Sequence, residues 1–190
     1  MAVISVFVGS VRRERKGDRV AAWVVDRLEQ RGHTVHLIDP VDHPDLQALT
    51  DQFKTKPEPS DDFKQLNAWV VESGGYVAIT PEYNHGYSGA LKSALDCFLE
   101  QYFFKPFAIV SYSAGSMGGI RAAEQLRCVC AELGAPAIPT SLAVSRVGEL
   151  FDPEGRLKDS AYDRRIGEML DEFEWYLEAF AAQRRKGTPY

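Results

Sequence analysis

The sequence predicts an α/β fold in three layers, in which a doubly wound parallel sheet of five strands lies between two layers of helices. Short apolar runs rich in β-branched residues alternate with helical patterns along the chain. The first run, residues 2–8, is apolar on both faces, which is typical of a central parallel strand. The 190 residues, 45% of them hydrophobic, suffice for one sizeable core. We therefore expect residues 1–190 to form a single domain.

The predicted strands are apolar runs bounded by polar or glycine-containing segments. They comprise residues 2–8, 34–38, 76–79, 107–112 and 141–144, of which the last is the weakest. A helix with apolar residues three and four positions apart follows each strand. These helices are expected from Val20 to a glycine cap at Gly32, and over residues 61–72, 91–98, 120–133 and 159–183.

Two segments lack such patterns. Residues 39–60 contain four prolines and no periodicity, so we expect a long connection across the surface. Residues 184–190 are expected to form a loose tail.

The order of the strands follows from connection rules. Crossovers between parallel strands are right-handed, which leaves few arrangements, and the compact one for five strands is the flavodoxin-like order 2-1-3-4-5. Strands 1, 3 and 4 are then neighbours, and the loops after them, residues 9–17, 81–88 and 113–119, meet at one edge. Ligands of open α/β sheets bind beyond the carboxyl ends of the strands. These three loops are therefore the candidate binding site.

The first of these loops is basic and precedes a helix. A hydroxyl, guanidinium groups and free backbone N–H groups at a helix start favour phosphate binding. The residues concerned are Ser10, Arg12, Arg13, Arg15 and Lys16. Taken alone, the segment fits a solvated charge run equally well, and the loop by itself leaves both interpretations open.

The other two loops offer backbone groups and small side chains. Pro81 stiffens the turn after strand 3, and Ser88 can cap the next helix. Gly86 and Gly89 allow a close approach of the backbone. By itself such a loop is more often an ordinary connection. Beside a phosphate site, however, it suits a flat heterocycle, and the combination indicates FMN.

Other sites and partners find little support in the sequence. No Gly-x-Gly-x-x-Gly follows the first strand, and neither a nucleotide-triphosphatase loop nor a Gly-x-Ser-x-Gly elbow occurs. The four histidines lack metal-ligand spacing, and the net charge of −5 argues against nucleic acid as the main partner. No run approaches the roughly 18 apolar residues of a membrane helix, and no basic leader precedes the first strand. We expect neither a membrane span nor a signal peptide.

The cysteines indicate the compartment. Cys128 and Cys130 are two positions apart on a predicted helix and point to different faces, so a disulfide between them is not expected. Together with Cys97 they indicate reduced thiols in a cytoplasmic protein.

The motifs of the three loops carry a family resemblance. Gly-Ser-x-Arg at 9–12, Pro-Glu-Tyr-Asn at 81–84 with a Leu-Lys element at 91–92, and the serine- and glycine-rich residues 111–121 resemble the NADPH-dependent FMN reductase family. That family includes quinone, azo-dye and chromate reductases, and the resemblance covers residues 2–145. It implies a flavodoxin-like fold, non-covalently bound FMN, and NADPH or NADH as the co-substrate that transfers hydride to the flavin.

The resemblance also implies roles for individual residues. The flavin phosphate would be held by Ser10, Arg12, Arg15 and the start of the first helix at Gly17. The ring edge and ribityl region would contact Pro81, Glu82, Tyr83 and Asn84, and the other side of the ring would be lined by Ser113 and Gly115. Many family members have a Ser-x-Asn pair where this chain has Arg15 and Gly17. No catalytic residue is assigned, and for Glu82, Tyr83 and His85 a direct role and a scaffolding role remain equally open.

We therefore expect an NAD(P)H-dependent reductase that passes hydride through FMN to a small acceptor: a quinone, an azo compound, a metal oxyanion or free flavin. The alternatives are a flavodoxin-like electron carrier and a non-enzymatic FMN-binding protein. An aromatic cluster at the end of the third predicted helix indicates a protein interface, and the resemblance implies a homodimer or homotetramer. The cluster consists of Phe98, Leu99, Tyr102, Phe103 and Phe104.

Overall fold

The computed structural model describes residues 1–47 and 51–190. Its sheet has five parallel strands in the order β2-β1-β3-β4-β5. The strands are β1 Val3–Val8, β2 Thr34–Ile38, β3 Gly75–Pro81, β4 Phe107–Tyr112 and β5 Ala137–Val144. The predicted fold class and the predicted strand order are both confirmed.

Helices follow the strands as expected, with one addition. They are α1 Gly17–Gln30, α2 Asp61–Glu72, α3 Gly89–Asp96, α4 Ile120–Glu132, α5 Val147–Leu150 and α6 Ala161–Arg184. The single-turn helix α5 was not expected, because four residues are too few to produce a helical period. It begins after Arg146, whose φ of 45° is left-handed and breaks the chain direction after β5.

Some bounds differ from the sequence-based expectation. β5 begins at Ala137 rather than at 141, because it is an edge strand whose partly exposed residues hide the strand pattern. α3 ends at Asp96, and Phe98 is buried beyond the helix. The segment 39–60 is a connection that includes a 3₁₀ turn, Pro44–Leu46, and its residues 48–50 lie outside the described part of the chain.

The helices cover both faces of the sheet. α1 and α6 pack on one face, against β-strand side chains such as Ile4, Val6 and Val110. α2, α3 and α4 pack on the other, against Phe7 and Ile109 among others. Because side chains alternate along a strand, strands that are apolar at nearly every position can fill both layers. With both faces covered, the carboxyl ends of β1, β3 and β4 are left to form a site.

The aromatic cluster after α3 contributes more to the core than the sequence suggested. Phe98 and Tyr102 are fully buried, whereas Leu99 is 39% exposed. Phe103 and Phe104 are half-buried and pack against Tyr190, at ring centroid distances of 5.4 and 5.0 Å. The end of the tail therefore contacts the domain, and five aromatic or apolar residues do not form one continuous exposed patch.

None of the helices in the described ranges has the length and apolar character needed to cross a membrane.

The cysteines differ in exposure. Cys97 and Cys130 are buried and Cys128 is exposed. The two thiols on α4, Cys128 and Cys130, therefore face different sides, as predicted.

We expect the two faces of α6 to respond very differently to truncation. Phe173 is fully buried, whereas Trp175, two residues further on, is 64% exposed. Phe173→Ala should lower the free energy of unfolding by about 3–5 kcal/mol, because it leaves a cavity. Trp175→Ala should change it by less than about 0.5 kcal/mol. Urea unfolding of both variants is the measurement, and equal losses would contradict the orientation of α6.

Candidate functional site

The loop after β1 lies directly against the end of β3. Gly9 donates its N–H to Ile79 O at 2.8 Å, and the hydroxyl of Ser88 donates to Gly9 O. A Cβ at Gly9 would lie 2.7 Å from Ile79 O, so no larger residue fits there. Ser88 also accepts from Leu91 N at 3.2 Å, which confirms its predicted role as the cap of α3. These contacts join the first two candidate loops.

Ser10, Arg12 and Tyr83 come together at this junction. Ser10 is 1% exposed, and its Oγ lies 2.7 Å from the Tyr83 hydroxyl. The guanidinium carbon of Arg12 lies 3.8 Å from the centroid of the Tyr83 ring, in a cation–π arrangement. The side chain of Arg12 remains exposed, as does that of Arg13.

Arg15 forms a partly buried ion pair. Its two terminal nitrogens donate to the carboxylate of Asp39 at 2.7 and 2.5 Å, and one of them also donates to Ser10 O at 2.7 Å. The side chains of Arg15 and Asp39 are 15% and 7% exposed. The hydrogen bond to Asp39 raises the pKa of Arg15 above its ordinary value. Arg15 therefore fixes the backbone at Ser10 and links it to the end of β2.

Helix α1 begins beside this pair, and no side chain caps it at Lys16. Within its first turn, Asp18 Oδ1 accepts from Arg19 N at 2.8 Å, so the N–H groups at the very start of the helix are the ones without a side-chain cap. A Cβ at Gly17 would lie 2.4 Å from the hydroxyl oxygen of Tyr112, so any larger residue there would displace that hydroxyl. That hydroxyl is buried and has no hydrogen-bond partner among the described residues.

The Pro-Glu-Tyr-Asn segment ends in a tight turn. Tyr83 and Gly86 exchange both backbone hydrogen bonds, at 2.9 and 3.0 Å. The two central residues, Asn84 and His85, have φ values of 52° and 68°. Left-handed backbone at both central positions is the geometry of a type I′ turn, which usually contains glycine. Gln125 Nε2 holds the turn by donating to His85 O at 3.0 Å.

Glu82 joins this segment to the third loop. Its carboxylate accepts from Arg121 N at 3.2 Å and from the Arg121 guanidinium at 3.1 Å. The Glu82 side chain is 10% exposed, and Arg121 is the second residue of α4. A carboxylate at this position satisfies helix N–H groups and complements the helix dipole.

The third loop is fixed from the side of β5. Ser113 Oγ donates to Gly115 O at 3.2 Å, and Arg146 N donates to the same oxygen at 3.0 Å. Val147 N donates to Ser113 O at 3.1 Å. At Gly119, with a φ of 82°, a Cβ would lie 2.9 Å from Tyr112 N. The loop thus needs glycine where it folds back on β4.

All ten candidate residues lie on these three loops, at the carboxyl edge of the sheet. The donor set of Ser10, Arg12 and the uncapped α1 fits a phosphate. Exposed apolar side chains on the same loops, Val11 at 39% and Met117 at 52%, fit a flat ring. The sequence assigned no role to Asp39, whose only signal was its position at the carboxyl end of β2, or to Tyr112, which belongs to the motif at 111–121.

The fold and these loops define a flavodoxin-like α/β protein with a mononucleotide site. Residues 2–149 match the family described as NADPH-dependent FMN reductase. The chain belongs to this family, which confirms the resemblance carried by the motifs. It is accordingly an oxidoreductase that uses FMN and a reduced nicotinamide.

Relatives and solved structures agree with this membership. An NAD(P)H-dependent FMN reductase of Nectria is 35% identical over 136 residues, which are 66% of this chain and 66% of the relative. A quinone reductase of Pseudomonas putida is 28% identical over 82% of this chain and 84% of its own. FerB, a flavoenzyme NAD(P)H:(acceptor) oxidoreductase of Paracoccus denitrificans, has the same fold, with a TM-score of 0.76 at 21% identity over 95% of this chain and 99% of its own.

Loss of the carboxylate at Asp39 should destabilise the protein. Asp39→Asn leaves the guanidinium of Arg15 without its charge partner, and since breaking a fully buried pair costs about 3–5 kcal/mol, we expect a smaller loss at this partly buried pair. In the double variant Arg15→Met/Asp39→Asn the loss should be clearly smaller than the sum of the single losses. Arg13→Met, at an exposed position, is the matched control. Additive losses in urea unfolding would contradict the coupling.

Proposed function

We propose that this chain is an enzyme that oxidises NAD(P)H and reduces small quinones through bound FMN. The observation that carries the proposal is the convergence of a phosphate-type donor set and two ring-lining loops at one sheet edge. The names of several relatives supply the acceptor class: a quinone reductase, a 2-hydroxy-1,4-benzoquinone reductase of Burkholderia and an NADPH azoreductase of Bacillus. Azo compounds, metal oxyanions and free flavin are the further acceptors to be compared.

The residues of the site suit distinct parts of FMN. Ser10, Arg12 and the start of α1 at Gly17 would hold the phosphate. Residues 81–84 would contact the ring edge and the ribityl chain, and Ser113 with Gly115 would line the other side. When bound, FMN supplies the redox chemistry by taking a hydride from the nicotinamide and passing it on.

The chain's own residues contribute orientation. Arg15, held by Asp39, would keep the Ser10 backbone in place, and the hydroxyl bond from Ser10 to Tyr83 ties the phosphate loop to the ring loop. Glu82 is held by Arg121 and would act as a scaffold for the third loop. We assign no catalytic residue, because hydride transfer between nicotinamide and flavin requires no side-chain acid or base.

We expect the chain to prefer NADPH to NADH by a modest factor. Arg12 exposes its guanidinium group at the site, and Arg121, although paired with Glu82, is 44% exposed; such groups suit a 2′-phosphate. Exposed charge pairs are screened over about 10 Å at 0.1 M salt, so the preference should shrink as salt rises. The measurement is kcat/KM for both nicotinamides at low and high ionic strength. A strong preference for NADH would exclude this role for the arginines.

The test of the proposed function is direct. Purified chain should show flavin absorption near one equivalent of FMN, and should oxidise NADPH when a quinone is added. A flavodoxin-like electron carrier would bind FMN without oxidising NADPH. A non-enzymatic FMN-binding protein would show no turnover with any acceptor. Either result would overturn the proposal, and so would a chain that binds no flavin.

Arg12 should matter for FMN affinity, and Arg13 should not. Removing a charge-assisted hydrogen bond to phosphate weakens binding by roughly tenfold to a hundredfold. We therefore expect Arg12→Ala to raise the Kd for FMN by that factor, measured by quenching of flavin fluorescence. Arg13→Ala is the matched control at the next position. If Arg12→Ala and Arg13→Ala change the Kd for FMN equally, residues other than Arg12 bind the phosphate.

Three properties of the whole protein belong to the same proposal. We propose that residues 1–190 act as one domain, in the cytoplasm, which the three free thiols favour. We also propose a homodimer or homotetramer, since Val71 on α2 and Leu99 after α3 remain 53% and 39% exposed. Sedimentation at micromolar concentration should show at least a dimer, and a monomer would contradict the assembly.

A further inference from the structure

Tyr112 presents a buried hydroxyl that no described residue satisfies. The residue ends β4 and is 5% exposed, and its hydroxyl has no hydrogen-bond partner. Burial raises the pKa of Tyr112, so the group keeps its proton and remains a donor. Buried polar groups in native proteins are nearly always paired, and an unpaired one is destabilising. An orphan hydroxyl at this position therefore requires an explanation.

The hydroxyl points at the start of helix α1. Its oxygen would lie only 2.4 Å from a Cβ at Gly17, the first residue of the helix, where no side-chain cap exists. Position 17 has no side chain, and the Tyr112 hydroxyl occupies the place that a Cβ would take there. The phenol and the first N–H groups of α1 therefore lie close together.

Donors that converge in this way need an acceptor between them. A neutral acceptor such as a carbonyl could satisfy one of them, whereas a phosphate has several strong acceptor oxygens and is favoured at a helix N-terminus. Ser10 is close enough to Tyr112 to lower the pKa of its phenol, but the Ser10 hydroxyl forms its short bond with Tyr83, at 2.7 Å. Arg15 lies nearby and is neutralised by Asp39. The arrangement fits an anion that arrives from outside the chain.

We propose that the Tyr112 hydroxyl is a phosphate-binding group, which donates to the phosphate of FMN at the start of α1. This inference rests on the proposed function. It adds a residue of β4 to the phosphate-binding residues, which otherwise belong to the first loop and the start of α1. It explains both the orphan hydroxyl and the glycine at position 17. Tyr112 is a positioning residue in this proposal, because it contacts the phosphate and not the reacting ring.

The experiment compares FMN with riboflavin, which lacks the phosphate. In Tyr112→Phe the Kd for FMN should rise by about tenfold to a hundredfold, because one hydrogen bond to a charged group is lost. The Kd for riboflavin should stay the same. The melting temperature of the flavin-free variant should be equal to or higher than that of the native chain, since an unpaired hydroxyl has been removed.

Tyr102→Phe is the matched control. Its hydroxyl is also buried, but it donates to Leu95 O at 3.1 Å, away from the three loops. This substitution should lower the melting temperature and leave the ratio of the two Kd values unchanged. The two variants are therefore expected to show opposite patterns of stability and affinity.

A second variant tests the contact between Tyr112 and the start of α1 by changing the helix residue. Gly17→Ala places a methyl group against the Tyr112 hydroxyl, and it should weaken FMN binding more than riboflavin binding. If Tyr112→Phe leaves FMN affinity unchanged, or weakens both ligands equally, the hydroxyl is not a phosphate donor and the inference is wrong. If the native chain binds neither FMN nor riboflavin, the proposed function fails as well. If the native chain binds both, a negative result with Tyr112→Phe contradicts this inference alone.

Discussion

The site depends on the close contact between the backbone of Gly9 and the end of β3. Gly9 donates to Ile79 O at 2.8 Å, and its own carbonyl accepts from the hydroxyl of Ser88. Any side chain at this glycine would push the first loop away from the second, because the Cβ position is only 2.7 Å from Ile79 O. The contact between Ser10 and Tyr83 would then be lost. Two segments far apart in the chain thus behave as one rigid surface.

The arginines around that surface differ in whether a carboxylate neutralises them. Arg15 and Asp39 form an internal pair, and Arg121 is paired with Glu82. Arg12 stacks on a tyrosine ring, a contact that leaves its charge free to act on a ligand. Of these three arginines, Arg12 is the one without a carboxylate partner among the described residues, and it lies on the loop that leads into α1. The local field of such a charge attracts anions despite the net charge of −5 of the whole chain.

The sequence was most informative where local and global signals agree. The bounds of α2 were predicted correctly because Ser60 caps the helix, accepting from Phe63 N at 3.0 Å, and a regular apolar face follows. β4 is apolar except for Ser111 and is flanked by proline and serine, and its bounds were also correct. The start of β5 was missed, because Pro139 and the exposed residues of an edge strand obscure the pattern.

In the site, the motif residues could be predicted because the strand order alone brings their loops together. The roles of Asp39 and Tyr112 could not be predicted, because they depend on contacts with residues far away in the sequence. Asp39 looks like the first residue of a polar connection until Arg15 is found opposite it. Tyr112 looks like an ordinary core residue until its hydroxyl is found against Gly17.

The left-handed turn at Asn84 and His85 has a consequence for the entropy of ligand binding. A glycine pair would adopt the same backbone more easily, but it would also remain free to leave it. Residues with side chains have fewer alternatives in the folded loop, and Gln125 restrains the turn further through its bond to His85 O. The conformational freedom of this loop is therefore lost during folding and not during association. A ligand meets a surface that is already ordered, and its affinity is not reduced by the ordering of the turn.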